Sequence, residues 1–299
     1  MAKTKLTSAN DTPPVAANAP AAATSDEPGK AGSRYETIAV EVRESVALVV
    51  LSRPDVHNAF NATLIAELTH VLRNLDRDAS VRAVILLGEG KSFCAGADLK
   101  WMTEMARYGI AENLADATAL ATMLKTLYRL SKPTIARVHG AALGGGAGLV
   151  ACCDIAFAAQ DATFSFSEAK LGLIPATIAP YVVEAIGARY ARRYFVSAER
   201  FTAAEAFRIG LVHEIYPPDE IDGRINELLA SLLVAGPRAQ DEAKSLIRAV
   251  RSGPIDDAMI ADTAARIAGV RGSDEGKEGV AAFLRKRSPA WVPQSLRKK

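Results

Sequence analysis

The sequence predicts an α/β fold followed by a helical C-terminal region, and three observations carry that expectation. From Tyr35 to about residue 178, short apolar runs of strand length alternate with segments whose apolar residues recur at helical spacing. One run, Ala83-Val84-Ile85-Leu86-Leu87, is apolar at every position and ends at Gly88, as a strand buried on both faces requires. Beyond residue 178 the strand patterns stop and helical ones continue. A chain of 299 residues has room for one large domain or two modest ones and buries enough surface to fold without disulfides.

Taken in order, residues 1–33 stand apart. They hold nine Ala and four Pro, no aromatic residue, and only Met1, Leu6 and Val15 as large apolar side chains, too little to offset the entropy of ordering. The expectation is a disordered tail. Lys3 and Lys5 are not followed by an apolar stretch, so it does not read as a signal peptide, and its acidic residues fit a transit peptide poorly. Ile38, Val40 and Val42 alternate and Val46–Leu51 is apolar, with Arg43-Glu44-Ser45 between them, which reads as a β-hairpin. Leu64, Ile65, Leu68, Val71, Leu72 and Leu75 form one helical face, with Asn61 as its N-cap. After the strand at 83–87 come a helix bearing Leu120, Met123, Leu124 and Leu127, a strand through Val138, a short helix after the glycine-rich 144–148, and a strand at 155–158. Thr202-Ala203-Ala204-Glu205 is a capping box opening a helix, and 222–251 and 255–270 read as helices separated by Gly253-Pro254. The expected organisation is a tail at 1–33, an α/β core at 34–200 and a helical region at 201–299.

Charge and cysteine usage exclude several classes. Thirty-six basic against 34 acidic residues leave a net charge of +2, without the basic excess of a nucleic-acid binder. No apolar run approaches the roughly 18–20 residues that span a bilayer. Cys94, Cys152 and Cys153 cannot build a disulfide framework and read as buried small hydrophobes in a reducing cytoplasm. Familiar motifs fail on register. Gly90-Lys91-Ser92 lacks the first glycine of a P-loop, because position 85 is Ile85, and Gly144-Gly145-Gly146-Ala147-Gly148 lacks the last glycine of a dinucleotide loop, because 149 is Leu149. The four histidines are scattered, and no metal site is expected.

Three segments remain. Phe93-Cys94-Ala95-Gly96-Ala97-Asp98-Leu99-Lys100 follows the buried strand and lets backbone approach a ligand. His139-Gly140-Ala141-Ala142-Leu143-Gly144-Gly145-Gly146 opens a helix whose free N–H groups suit a developing anion. Phe164-Ser165-Phe166-Ser167-Glu168 reads as an alternating strand ending in a carboxylate. Singly, each has a bland account as a packing turn or an exposed acid. Together with Arg53-Pro54, Asn58-Ala59, Cys153-Asp154, Leu171-Gly172-Leu173-Ile174-Pro175 and Phe283-Leu284-Arg285-Lys286-Arg287, they fall in the order and spacing of one family. Residues 35–290 resemble the enoyl-CoA hydratase/isomerase (crotonase) superfamily.

That resemblance implies a crotonase-like ββα superhelix, a C-terminal helical region used in trimerisation, and a homotrimer or a hexamer of two trimers. It implies an acyl-CoA thioester as substrate, with no cofactor beyond the coenzyme A it carries. It assigns the two backbone N–H groups that hold a thioester enolate to Ala97 and Gly145, and an acid/base carboxylate to Glu168. CoA contacts carry over to Val56, Ala59, Ala95, Asp98, Leu99, Lys100 and Gly144, with Phe283 and Lys286 reaching the nucleotide end; Lys100 and Lys286 would offset phosphate charge. One departure stands out: a second glutamate, expected at 148, is Gly148, and Ala176-Thr177 replaces the usual glycine after Ile174-Pro175. Two readings follow. The chain is a hydratase working with Glu168 alone or with a substitute acid, or an isomerase that moves one proton between Cα and Cγ. A non-catalytic CoA-binding or scaffold homologue is the third, disfavoured by the retained Glu168 and both glycine-rich segments. The stretch Ser167 to Val183, with Arg192-Arg193-Tyr194 and Ala198-Glu199-Arg200-Phe201, resembles bacterial 3-methylglutaconyl-CoA hydratases of leucine and isoprenoid breakdown. Such a substrate carries a distal carboxylate, for which Lys170 and Arg107 are the candidate cations.

Overall fold

The structure is a computed structural model that describes residues 35–297. The tail expected to be disordered lies outside them. The hairpin forms as expected: β1 (Ile38–Arg43) pairs antiparallel with β2 (Val46–Leu51), and the reversal is made by Glu44 and Ser45, both at positive φ. Helix α1 (Ala62–Arg77) begins where Asn61 accepts the Leu64 N–H at 2.9 Å, and it buries the six apolar residues read from its spacing. Strand β3 (Ala83–Gly88) is buried throughout. Then come α2 (Leu99–Met105), α3 (Ile110–Tyr128), β4 (Thr134–Val138), β5 (Ala141–Leu143), α4 (Gly145–Cys152), β6 (Ile155–Ala159) and β7 (Thr163–Ser165).

Strands do not stop at 178. After α5 (Ala179–Ser197), β8 (Phe201–Thr202) pairs with β7, and after α6 (Ala203–Arg208), β9 (Glu214–Tyr216) joins β6. The large sheet, ordered β1-β2-β3-β4-β6-β9, therefore takes its last strand from beyond residue 200. At two or three residues each, these strands are too short to show a period. Thr202 caps α6 through the Glu205 N–H, but Glu205 turns its carboxylate to Arg208 and Tyr194 rather than back to the cap, so only half of the capping box forms. The expected helix over 222–251 is two: α7 (Ile221–Val234) and α8 (Pro237–Val250), broken at Gly236-Pro237, where proline starts the second helix at its first position. Helices α9 (Asp257–Gly272) and α10 (Asp274–Leu284) follow, and a 3-10 turn at Gln294–Leu296 comes last among the described residues.

Alternate residues of the large sheet feed two cores. Ala47, Val49, Leu51, Val84 and Leu86 face α1, α3 and α4, whereas Val46, Leu48, Val50, Ile85 and Leu87 face Ile221, Ile225, Leu229 and Leu233 of α7. This two-sided burial explains the unbroken apolar runs of β2 and β3. A second, smaller sheet, ordered β5-β7-β8, carries the functional segments.

Candidate active site

The site arises from parallel pairing. β5 and β7 run parallel with Leu143 opposite Ser165, so Gly144-Gly145 and Ser167-Glu168 leave the same end of the small sheet. A parallel bridge between Cys94 and Ala142 lays the 94–98 segment beside β5, and another between Phe60 and Ala97 adds a further strand-like neighbour. Segments far apart in sequence thus deliver their carboxyl ends to one place, the end of a parallel sheet where open α/β folds expose main-chain groups to ligands.

Ala97 and Gly145 each present an N–H outward. In the Phe60–Ala97 bridge, Phe60 N–H donates to Gly96 O at 2.6 Å and Asp98 N–H donates to Phe60 O at 2.8 Å. The Ala97 N–H, between them in sequence, points the other way. Gly145 is the first residue of α4, where an N–H has no intrahelical acceptor and the helix dipole is positive. Gly144, its N-cap, sits at φ 51°, ψ −119°, a conformation that side chains forbid. The two segments touch: a Cβ on Gly96 would lie 3.0 Å from Leu143 O. Phe60 lies against both, since its backbone bridges Ala97 and its ring fills the space a Cβ on Gly145 would need.

Glu168 completes the group. It stands in a 3-10 turn, Ser167–Leu171, rather than at the end of a strand as expected; the strand stops at Ser165. Gly144 N–H donates to Ser165 O at 2.8 Å, and a Cβ on Gly144 would lie 3.1 Å from Glu168 Oε1. The carboxylate therefore sits directly over the residue preceding Gly145. Its Oε2 is buried with no hydrogen-bond partner, and desolvation raises the carboxyl above its ordinary pKa against a weaker pull from its own N–H. A half-buried acid in this state is suited to taking and returning a proton.

Position 148 is closed to a second acid. Gly148 is buried in α4, and a Cβ there would overlap Cγ2 of Ile178, which is 1% exposed at the N-cap of α5. Sequence reasoning found the missing glutamate but not the side chain that fills its place. We expect Gly148→Glu and Ile178→Gly to be coupled. Gly148→Glu overpacks the site at a cost of about 1–3 kcal/mol, Ile178→Gly empties it at about 2–5 kcal/mol, and the double variant is more stable in denaturant melts than the two losses added.

Of the residues expected at CoA, Val56, Ala59, Ala95 and Gly144 border this cluster, and Leu99 (80% exposed) and Lys100 begin α2 at its edge. Asp98 is the exception. It is 5% exposed, its N–H donates to Phe60 O, its carbonyl accepts the Met102 N–H, and its carboxylate is held by Arg53 and the α2 amides. Its carboxylate is thus engaged within the protein, as is the main chain of Ala59, also 5% exposed, whose N–H donates to Val56 O and whose carbonyl accepts from Arg53. Phe283, in the last turn of α10, and Lys286, just past it, are exposed, and the main packing of that helix is on α8 and α9. Lys170, on the Glu168 turn, and Arg107, just past α2, are exposed and make no ion pair among the described residues.

Comparison with known proteins agrees with this fold. The family model described as enoyl-CoA hydratase/isomerase matches residues 41–294. The solved structure of an enoyl-CoA hydratase from Shewanella pealeana superposes with a TM-score of 0.84 at 42% identity, over 86% of this chain and 97% of that one. The crotonyl-CoA hydratase of Syntrophomonas wolfei is 32% identical over 260 residues, 86% of this chain and 98% of its own length. The short-chain-enoyl-CoA hydratase of Clostridium acetobutylicum is 32% identical over 257 residues, covering 84% and 95%. With a family model spanning most of its length, and with two outward amides and a carboxylate meeting at one sheet end, the chain belongs to the enoyl-CoA hydratase/isomerase family.

Proposed function

We propose that this chain adds water across the Cα–Cβ double bond of an acyl-CoA thioester. The observation that carries this reading is the meeting of the Ala97 and Gly145 N–H groups beside the buried carboxylate of Glu168. The thioester oxygen accepts from both amides. Water adds to Cβ as its proton passes to Glu168, the π electrons move onto the thioester oxygen, and the resulting enolate is bound more tightly than the neutral carbonyl. Glu168 then returns the proton to Cα, and the carbonyl re-forms. With one carboxylate serving both steps, oxygen and proton reach the same face of the double bond.

CoA is held along Val56, Ala59, Ala95, Leu99, Lys100 and Gly144, with Lys286 and Phe283 meeting the nucleotide end across a subunit contact. The exposed apolar residues of α8 to α10, among them Ile247, Ile260, Val280 and Leu284, support assembly into a trimer or hexamer. Three buried free thiols support a reducing, cytoplasmic setting. The acyl group is branched and carries a distal carboxylate, of which 3-methylglutaconyl-CoA is the type, and Lys170 or Arg107 receives that charge. This rests on the resemblance over residues 167–183 and on Lys170, which stands on the Glu168 turn and makes no ion pair among the described residues.

A second reading, isomerisation, is favoured by one observation: Ile178 occupies the space of a second acid, and shuttling one proton between Cα and Cγ needs only Glu168. A panel of 2-enoyl-CoA thioesters, methylglutaconyl-CoA included, assayed in heavy-oxygen water separates them. Hydration gives labelled 3-hydroxyacyl-CoA, with the highest kcat/KM on the dicarboxylic substrate. A shifted double bond without label would establish the isomerase.

A further inference from the structure

Arg53 follows β2 and turns beneath the site. Its main chain is fixed by Asn58, which accepts the Arg53 N–H through Oδ1 at 2.9 Å and donates its own N–H to Arg53 O at 2.9 Å. The guanidinium then holds two groups at once: Nη1 donates to Ala59 O, and Nη2 donates to Asp98 Oδ2 at 2.7 Å. Asp98 Oδ1 in turn accepts the Lys100 N–H at 2.8 Å and the Trp101 N–H at 3.4 Å, capping α2. Burial would raise the Asp98 carboxyl, but the bond from Arg53 and those from the α2 amides outweigh it and hold the group below its ordinary range.

The place of these two groups matters. Ala59 immediately precedes Phe60 and Asp98 immediately follows Ala97, so the planar fork spans the Phe60–Ala97 bridge from outside. Ala97 is exposed and follows Gly96 at φ 91°, a junction free to rotate unless its neighbours are held. The two bridge bonds leave the Ala97 N–H outward, and the ion pair locks the residues that make them. Phe60 passes the constraint on, because its ring abuts Gly145.

We propose that the Arg53–Asp98 pair is a positioning device for the enolate site: without touching substrate, it fixes the direction of the Ala97 N–H and, through Phe60, its spacing from Gly145. The proposal rests on the reading of those amides as the oxyanion donors. Asp98→Asn keeps an oxygen to cap α2 but removes the charge facing Arg53, and Arg53→Lys keeps a charge but loses the fork. For each, kcat and KM are measured per folded molecule with a 2-enoyl-CoA. Binding is measured for butyryl-CoA and for acetoacetyl-CoA, whose bound enolate is read from its ultraviolet absorbance. Asp98→Asn is expected to lower kcat about tenfold or more and to weaken enolate binding by the same factor, with butyryl-CoA affinity held within about twofold; Arg53→Lys falls between. Parent-like kcat and enolate binding in both variants, whatever the loss in Tm, would reduce the pair to a structural one and overturn the proposal. A parent enzyme that stabilises no enolate would instead overturn the oxyanion reading, and this proposal with it.

Discussion

Glu168→Gln loses turnover by a factor on the order of 10²–10⁴ while the Kd for a saturated acyl-CoA stays near the parent's. The size follows from the arrangement. Position 148 offers no second acid, since Ile178 fills its space, so in the proposed mechanism Glu168 carries the proton transfer. Glutamine keeps the shape of the side chain and its place over Gly144, so ground-state binding survives. Stability moves the other way. The folded carboxyl holds its proton more tightly than the unfolded one, because burial penalises the charge. That contribution to stability is fully present below the unfolded pKa and is lost as pH rises through the folded value. Glutamine mimics the protonated acid at every pH. The variant's Tm at neutral pH should therefore equal or exceed the parent's, with the advantage vanishing in acid. For the same reason the parent's acid limb of kcat/KM lies above the range of an ordinary carboxylate. Parent-like turnover in this variant would remove Glu168 from the chemistry.

Gly145→Pro isolates one oxyanion donor. Proline is accepted at the first position of a helix, where the N–H has no intrahelical partner, so α4 should persist while the donor disappears. Any Cβ here meets the Phe60 ring, and Gly145→Ala is the control because it adds that Cβ and keeps the N–H. The ratio of the two variants' kcat removes the effect of the Cβ and reads the lost donor together with the ring carbon that takes its place, and a loss of at least about 2.7–4 kcal/mol of barrier, some 10²–10³ in rate, is expected. Equal activity in the two would mean that this N–H does not face the developing charge.

Much of this architecture is legible in the sequence because local rules dominate there. Asn61 before a clean helical face, the unbroken run at 83–87 and the glycines before α4 each encode their structure within a few residues. What is hidden depends on distant partners. The three-residue β9 has no period to read and exists only because β6 offers an open edge. Glu168 seemed to end a strand because Phe164 and Phe166 alternate, yet pairing with β5 stops at Ser165 and the chain turns. Gly236-Pro237 marks a helix break plainly, but apolar residues continuing on both sides mask it. The site divides in the same way. Ala97, Gly145 and Glu168 lie in motifs and could be named. Phe60 and Ile178 carry no local signature, and Arg53 and Asp98 lie in motifs that do not show that the two pair across 45 residues. The inward turn of the Asp98 carboxylate is a case in point, since its motif gives no sign that the side chain meets Arg53.

The proposed chemistry depends on a single oxygen reaching two amides while its carbon chain runs past one acid. A crystal structure of the Glu168→Gln variant with a 2-enoyl-CoA measures that geometry. The thioester oxygen should lie about 2.7–3.2 Å from both the Ala97 and Gly145 nitrogens, with Cα and Cβ facing residue 168. An oxygen bound to neither amide, or an acyl chain directed away from residue 168, would contradict it.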